Sequence, residues 1–505
     1  MSGALRPFGA VLAAFGLAAS AHAATLKVGT VAWPPGYGNP YGSIAQAASH
    51  TRSTIYDALT RIDPAGRLVP ALALSWQAVT PTTWRFELRP DVTFSNGEPF
   101  DAAGVVAVLD WLRSAAAAPQ LMSAEVRNVS SVRAIDPLTV EIDTRAVDAV
   151  LPKRLSLIMM VPPRAWAQSG VEGFTQQPVG TGPYALKDWG LSSGRTVVEA
   201  FAGSWRPARR ITRLELYPLR ESVRRVQALS GGAVDLTQGI GPDDIDVLRD
   251  QGFVTFAEQE PQVMALLLRN VGNDGAALQD VRVRQALNYA VNKDEIAHVI
   301  LRGTAQAVGQ GAIPGVTGYN PDVKPYPHDP AKAKALLAEA GFGNGLTLVA
   351  RVQLAAGGET PAIYQKVAAD LAEAGITLEL RPVMSQDWVR MYTTGDWGGA
   401  DIISGTWNSA AYADTIRALE TFSCAKSGSF YCDAEADALM SASSAELDEP
   451  KREALLQAAM ARLHDQAASL FLVNMTMVVA HSPRVKNVVV GRSAFVFEEM
   501  ELAED

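Results

Sequence analysis

Between Leu346 and Trp407 the apolar positions switch between two periods. Leu346–Gln353, Ile376–Val383 and Ala400–Trp407 read as strands. The stretches between them have helical spacing. Asp329-Pro330 gives an N-cap and a first-turn proline to a helix that Gly341 ends. Thr360-Pro361 repeats that signal for a helix ending at Gly375, and Ser385 caps a shorter one. Strands alternating with helices on short links predict a parallel α/β sheet with right-handed crossovers. In such sheets ligands sit beyond the carboxyl ends of the strands. That rule points at Gln353 with its following loop, and at Trp407 and Asn408.

Earlier in the chain the period is two. Trp84 to Leu88 alternates as a half-buried strand does. Ser95-Asn96-Gly97 is a turn. Asp101 caps a helix with Val105, Val108, Leu109 and Leu112 on one face. Val129–Thr144 returns to strand character around an Asp136-Pro137 turn. Residues 280–302 read as one long helix, with Asp280 as N-cap and Val283, Ala286, Leu287, Ala290 and Val291 as its apolar stripe.

The N-terminus changes the picture. Arg6, the apolar run Phe8–Ala19 and the small-x-small site Ala21-His22-Ala23 are the parts of a cleaved secretory signal peptide, residues 1–23. The apolar run is too short to span a bilayer. No Cys near Ala24 offers a lipid anchor, so a freely soluble periplasmic protein is expected. A chain of 505 residues exceeds one compact core, and two or three lobes are expected. Hydrophobic residues at 48% and charged ones at 19% are ordinary globular composition. A net charge of −9 argues against a nucleic-acid partner. The one basic cluster, Arg206, Arg209, Arg210 and Arg213, reads as a solvated face. In an oxidising compartment Cys424 and Cys432 are expected to form a disulfide closing a short loop.

Catalytic motifs fail on context. Gly190 to Gly194 matches G-x-S-x-G around Ser192, but a nucleophile elbow needs a strand before it and a helix after. Here Arg195–Ala200 reads as a second strand, so a hairpin is expected and a serine hydrolase is the minor alternative. Ser423 to Lys426 matches S-x-x-K inside the disulfide loop, and S-D-N and K-T-G are absent from the sequence. Gly341 to Gly345 follows a helix rather than a strand, so it is a C-cap and turn. His50, His298, His328, His464 and His481 show no i, i+4 pairing, and neither a metal site nor a cofactor is expected.

One resemblance is more specific than these motifs. "YDALTRIDPAGRLVPALALSWQ" from Tyr56, with "WRFELRPDVTFSNGEPFDAAGVV" from Trp84, resembles the family 5 extracellular solute-binding proteins. "PVGTGPYALKDW" from Pro178, "VRVRQALNYAVNKDEI" from Val281 and "YNPDVKPYPHDPAKAKALLAEAGF" from Tyr319 are similar to further blocks of that family, in the same order. The resemblance implies a monomeric α/β protein with a three-lobed, type II-like periplasmic binding fold. Two main α/β lobes flank a hinge, and an α+β lobe is inserted. Lobe I is residues 24–53, 180–262 and 476–505; lobe II is 54–179; lobe III is 263–475. The implied partners are a small-molecule solute and the permease subunits of an ABC importer. The solute is peptide-like, with an opine, a glycan or a metal chelate as alternatives.

Departures from that pattern bear on the solute. Trp407–Cys424 is similar to the dipeptide-binding members, which carry an Asp three residues after the Trp; here that residue is Ala410. Their carboxylate-binding Arg corresponds to Leu354. Both charged clamps for a free dipeptide are replaced, with Asp414 and Arg351 nearby. The candidate ligand-binding residues are Trp33 and Tyr37 in a Pro- and Gly-rich loop, Gln353, Trp407 and Asn408 at strand ends, and Asp414.

Overall fold

The computed structural model describes residues 24–272, 277–353, 359–491 and 494–503. The expected signal peptide and Leu354 lie outside them. A ten-stranded mixed sheet forms the frame. In spatial order its strands are Ile376–Val383, Leu346–Gln353, Ile402–Asn408, Val254–Leu268, Ser469–His481, Leu236–Gln238, Ala24–Thr30, Ile211–Pro218, Thr196–Ala200 and Tyr184–Asp188.

The predicted parallel unit is present at one end. Leu346–Gln353 runs parallel to both Ile376–Val383 and Ile402–Asn408. The helices Glu359–Glu373 and Ser385–Thr394 make the crossovers. Their starts differ in detail from expectation. Thr360-Pro361 sits inside the first turn of its helix. Met384 occupies the N-cap position of the other, and Ser385 is its first residue. At the other end Ala24–Thr30 lies parallel to both Ile211–Pro218 and Leu236–Gln238.

Two long antiparallel strands, Val254–Leu268 and Ser469–His481, join the halves. Val254–Gln259 pairs with His481–Thr476, and Val263–Leu267 with Asn474–Ser469. The register shifts between, across Glu260, Pro261 and Gln262. Proline has no N–H for the ladder, which favours a break there. The Pro261 carbonyl instead accepts from Ser409 N at 2.9 Å.

A separate module carries a four-stranded antiparallel sheet, ordered Ala73–Thr80, Thr83–Leu88, Thr139–Thr144 and Val129–Asp136. The helix Ala102–Arg113 packs on it with Val105, Val108, Leu109 and Leu112 buried. Asp101 caps this helix, accepting from Gly104 N at 2.9 Å. The module's buried side chains are continuous with those around Trp407 in the far half of the large sheet.

Residues 280–302 do not form one helix. Asp280 caps Val281–Ala290 as expected, but Val291 is extended. Asn292 caps a new turn at Lys293–Glu295, which passes into a π-helical turn at Ile296–Ile300. Tertiary contacts drive the break. The Lys293 ammonium turns back onto the Asn288 carbonyl at 2.5 Å, and Asp370 accepts from Asn292 N at 3.0 Å.

Candidate functional site: a cavity at the break in the sheet

Where the two long strands change register, the fold forms a partly open cavity of about 490 Å³. One wall is the helix Gln46–Ile55, through Ser49, Arg52 and Ser53, together with Gly491 and Ala494–Val496 from the C-terminal segment. The module supplies a second wall, including Tyr56, Ile62, Ala71, Leu157 and Met159. Glu260 and Gln262, from the register break, and Asn408, Ala410 and Ala411, beyond the strand Ile402–Asn408, supply the third. Polar and charged side chains alternate with apolar ones on these walls, and the size suits a small ligand.

Most charges on these walls are already engaged. The Arg206 guanidinium holds Asp57 at 2.7 Å, also grips Glu498, and donates to the Ser53 carbonyl at 2.8 Å. Asp57 accepts as well from Trp205 Nε1 and Thr181 Oγ1, each at 2.8 Å. Arg206 thus joins the end of the helix Gln46–Ile55 and the segment after it to the C-terminal segment. It does not belong to a solvated face; Arg209 and Arg210 remain exposed as expected, and Arg213 pairs with Glu199 and Glu215. Asp63 is taken by Arg67 at 2.7 Å. Burial pushes the Glu260 carboxyl above its ordinary range.

His50 stands behind this wall, fully buried. Its ring stacks on Phe495, with centroids 5.2 Å apart, and burial pulls its pKa down to about 4. Gln238 Nε2 lies 2.7 Å from His50 Nε2, while Phe495 N donates to Nδ1 and Gln238 Oε1 has no partner. A neutral imidazole accepts at one nitrogen only. Turning the Gln238 amide over lets His50 Nε2–H donate to Oε1 while Nδ1 accepts from Phe495 N.

The candidate residues read from sequence separate here. Asn408 and Ala410 line the cavity, and Asn408 Oδ1 also accepts from Ala410 N at 2.9 Å. Trp407 does not line it. Its ring is fully buried, stacked on Phe422 with centroids 3.8 Å apart and bonded through Nε1 to Ser469 Oγ at 3.0 Å. In a strand, side chains alternate between faces, so Asn408 faces the cavity while its neighbour enters the core.

Asp414 is also in the core rather than on the cavity wall. Lys153 Nζ reaches it at 2.7 Å, and Arg452 grips it at 2.8 and 3.0 Å. Burial would raise its pKa, but these two cations hold it at about 2. Gln353 donates to Ser385 Oγ at 2.7 Å and lies outside the cavity. Arg351 donates to the Gly398 carbonyl at 3.2 Å. Trp33 and Tyr37 are half-buried near Trp189, away from the cavity.

Ser192 lies in the exposed turn of an antiparallel hairpin, Tyr184–Asp188 to Thr196–Ala200, and not on an elbow before a helix. Among the described residues no cluster of His, Cys, Asp and Glu could hold a metal, and no helix is long and apolar enough to cross a membrane. Cys424 and Cys432 are bonded.

Sequence reasoning missed Arg52 and the walls on either side of it. A signal was present: Arg52 has no acidic residue three or four places away on its helix. Such a cation needs a partner from elsewhere once the helix is buried.

A mixed sheet in two halves, with a partly open cavity at the break between them, has the build of a ligand-binding protein. The chain belongs to the bacterial extracellular solute-binding proteins, family 5, whose model matches residues 67–429. It is 27% identical over 504 residues to the nickel-binding periplasmic protein of Escherichia coli, covering 92% of this chain and 93% of that one. It is 26% identical over 489 residues to the glutathione-binding protein GsiB of Pectobacterium atrosepticum, covering 92% of each. In fold it is similar to the ABC transporter-associated periplasmic binding protein DppA from Helicobacter pylori, solved with the peptide STSA. The TM-score there is 0.79 at 22% identity, covering 95% of this chain and 98% of that one.

Proposed function

We propose that this chain captures a small, peptide-like solute in the cavity at the sheet break and delivers it to the permease of an ABC importer, without chemical conversion. The cavity carries this reading: about 490 Å³, lying between both halves of the sheet and the inserted module. Opening and closing about the register break at Glu260–Gln262 would admit and seal the solute. A two-state motion of this kind responds to a ligand that binds the closed form better. The relatives' names support the class, since one is called nickel-binding and periplasmic and another glutathione-binding. The expected signal peptide, residues 1–23, agrees with a periplasmic location, and lobe boundaries near 53, 179, 262 and 475 go with the proposed motion. The protein acts as a monomer.

A free dipeptide held by its ammonium group fits poorly. The cavity wall carries the methyl group of Ala410 where dipeptide-binding members carry a carboxylate. The test is thermal unfolding of ligand-stripped protein with and without the low-mass fraction of tryptone and yeast extract. A solute at a hundred times its dissociation constant stabilises by about 2.7 kcal/mol. A rise in Tm, with a smaller radius of gyration by X-ray scattering, is expected. No change in either would refute capture by closure.

A further inference from the structure

Arg52 lines the cavity and is only 5% exposed. It donates from Nη1 to the Ser43 carbonyl at 3.1 Å and from Nη2 to the Leu157 carbonyl at 2.7 Å. Its Nε–H has no acceptor. Among the described residues no carboxylate lies within ion-pair distance of it. Of the acids lining the same cavity, Asp57 and Glu498 are held by Arg206, Asp63 by Arg67, and Glu260 accepts from Gln262 Nε2 at 3.4 Å.

A guanidinium buried without a counter-charge is costly. A neutral donor would bridge two carbonyls at far lower cost. Burial lowers the Arg52 pKa only to about 10, so the group stays charged at neutral pH. A buried permanent cation facing a cavity is the arrangement that a ligand anion completes, and the planar guanidinium matches a carboxylate.

We propose that Arg52 anchors a carboxylate of the captured solute, so that the protein selects organic carboxylates over neutral or purely cationic solutes of the same size. This rests on the reading of the cavity as the solute site. The ligand carboxylate docks against the Nη N–H groups that the two protein carbonyls leave free, while those carbonyls keep the guanidinium in place.

The experiment uses one probe in two forms: the low-mass fraction of tryptone and yeast extract, untreated and after conversion of its carboxyl groups to methylamides. The full mature protein is followed by thermal unfolding. The untreated probe is expected to raise Tm, the amidated probe to leave it unchanged, and the acidic solutes retained after rapid desalting to be identifiable by mass spectrometry. Arg52→Gln should weaken retention roughly 30-fold or more, and Arg52→Lys should restore part of it. If the amidated probe raises Tm as much as the untreated one, the carboxylate anchor is wrong and solute capture stands. If neither form raises Tm, solute capture itself is wrong and the anchor falls with it. The wild-type comparison decides the matter even if the Arg52 variants do not fold.

Discussion

Arg452 grips both oxygens of Asp414, at 2.8 and 3.0 Å, on a site with no solvent exposure at the carboxylate. Lys153, on the short helix Leu151–Arg154, completes the cluster at 2.7 Å and also donates to Thr317 Oγ1. Next to it Arg154 pairs with Glu125 and Glu420. These contacts bind the module to the far half of the sheet.

Asp414→Asn leaves two buried cations facing a neutral amide. It should cost about 3–5 kcal/mol in urea unfolding. Lys153→Met leaves the two-point Arg452–Asp414 pair charge-balanced, and should cost clearly less. Equal losses would mean that the charge count at Asp414 is unimportant. The pH dependence follows from the lowered pKa. A carboxyl at about 2 when folded and near 3.8 when unfolded stabilises above 3.8, and that contribution disappears as pH falls through about 2.

His50 gives a second acid-sensitive term in a different window. Its pKa is about 4 when folded against 6.5 when unfolded, so the unfolded chain takes up a proton first as pH falls. Stability should be level above 6.5 and drop by about 3 kcal/mol on the way to pH 4. Chemical denaturation at pH 7.5, 5.5 and 4 measures this. In His50→Gln the slope between pH 6.5 and 4 should flatten; an unchanged slope would assign it to other groups.

Gly311 sits against the face of Trp407. A Cβ there would lie 2.0 Å from the indole, at Cε3. Gly311→Ala should displace the ring and cost about 1–3 kcal/mol, with a changed near-UV circular dichroism band. Because Asn408 follows Trp407 into the cavity wall, the Tm response to solute should shrink as well. A variant with wild-type stability and spectrum would show that the ring has room to move.

Reducing the Cys424–Cys432 bond opens a loop of eight-residue separation. A loop this short loses little chain entropy, so a Cys424→Ser, Cys432→Ser double variant should be less stable by about 2–3 kcal/mol yet remain folded. Guanidinium melts of the two proteins make the comparison. Global unfolding of the variant at neutral pH would contradict this.

The features legible in the sequence are those decided within one turn or one strand. Asp101 and Asp280 cap their helices through the N–H groups of Gly104 and Arg282. The parallel unit around Leu346–Gln353 follows from its own periodicity. The misread features depend on distant partners. Arg206 looked solvated because Asp57 and Glu498 are far away in sequence, and Asp414 looked available because nothing near it announces Lys153 or Arg452. The end of the helix at Ala290 was hidden for the same reason, since Val291 continues the apolar stripe while Asp370 holds the turn that breaks it. At the cavity the strand-end rule found Asn408 and, with it, Trp407, whose side chain leaves on the opposite face.

The connectivity of the large sheet also fixes an order of assembly. Ala24–Thr30 takes its partners from Ile211–Pro218 and Leu236–Gln238, and the latter pairs in turn with Ser469–His481. The four-stranded module, by contrast, draws all its strands from residues 73–144. A chain emerging from its N-terminus can therefore close the module early, while its first strand stays unpaired until nearly two hundred further residues have appeared. Non-local pairing of this kind is slow. The cavity, whose walls include Arg52 and Val496, is complete only once the C-terminal segment has docked.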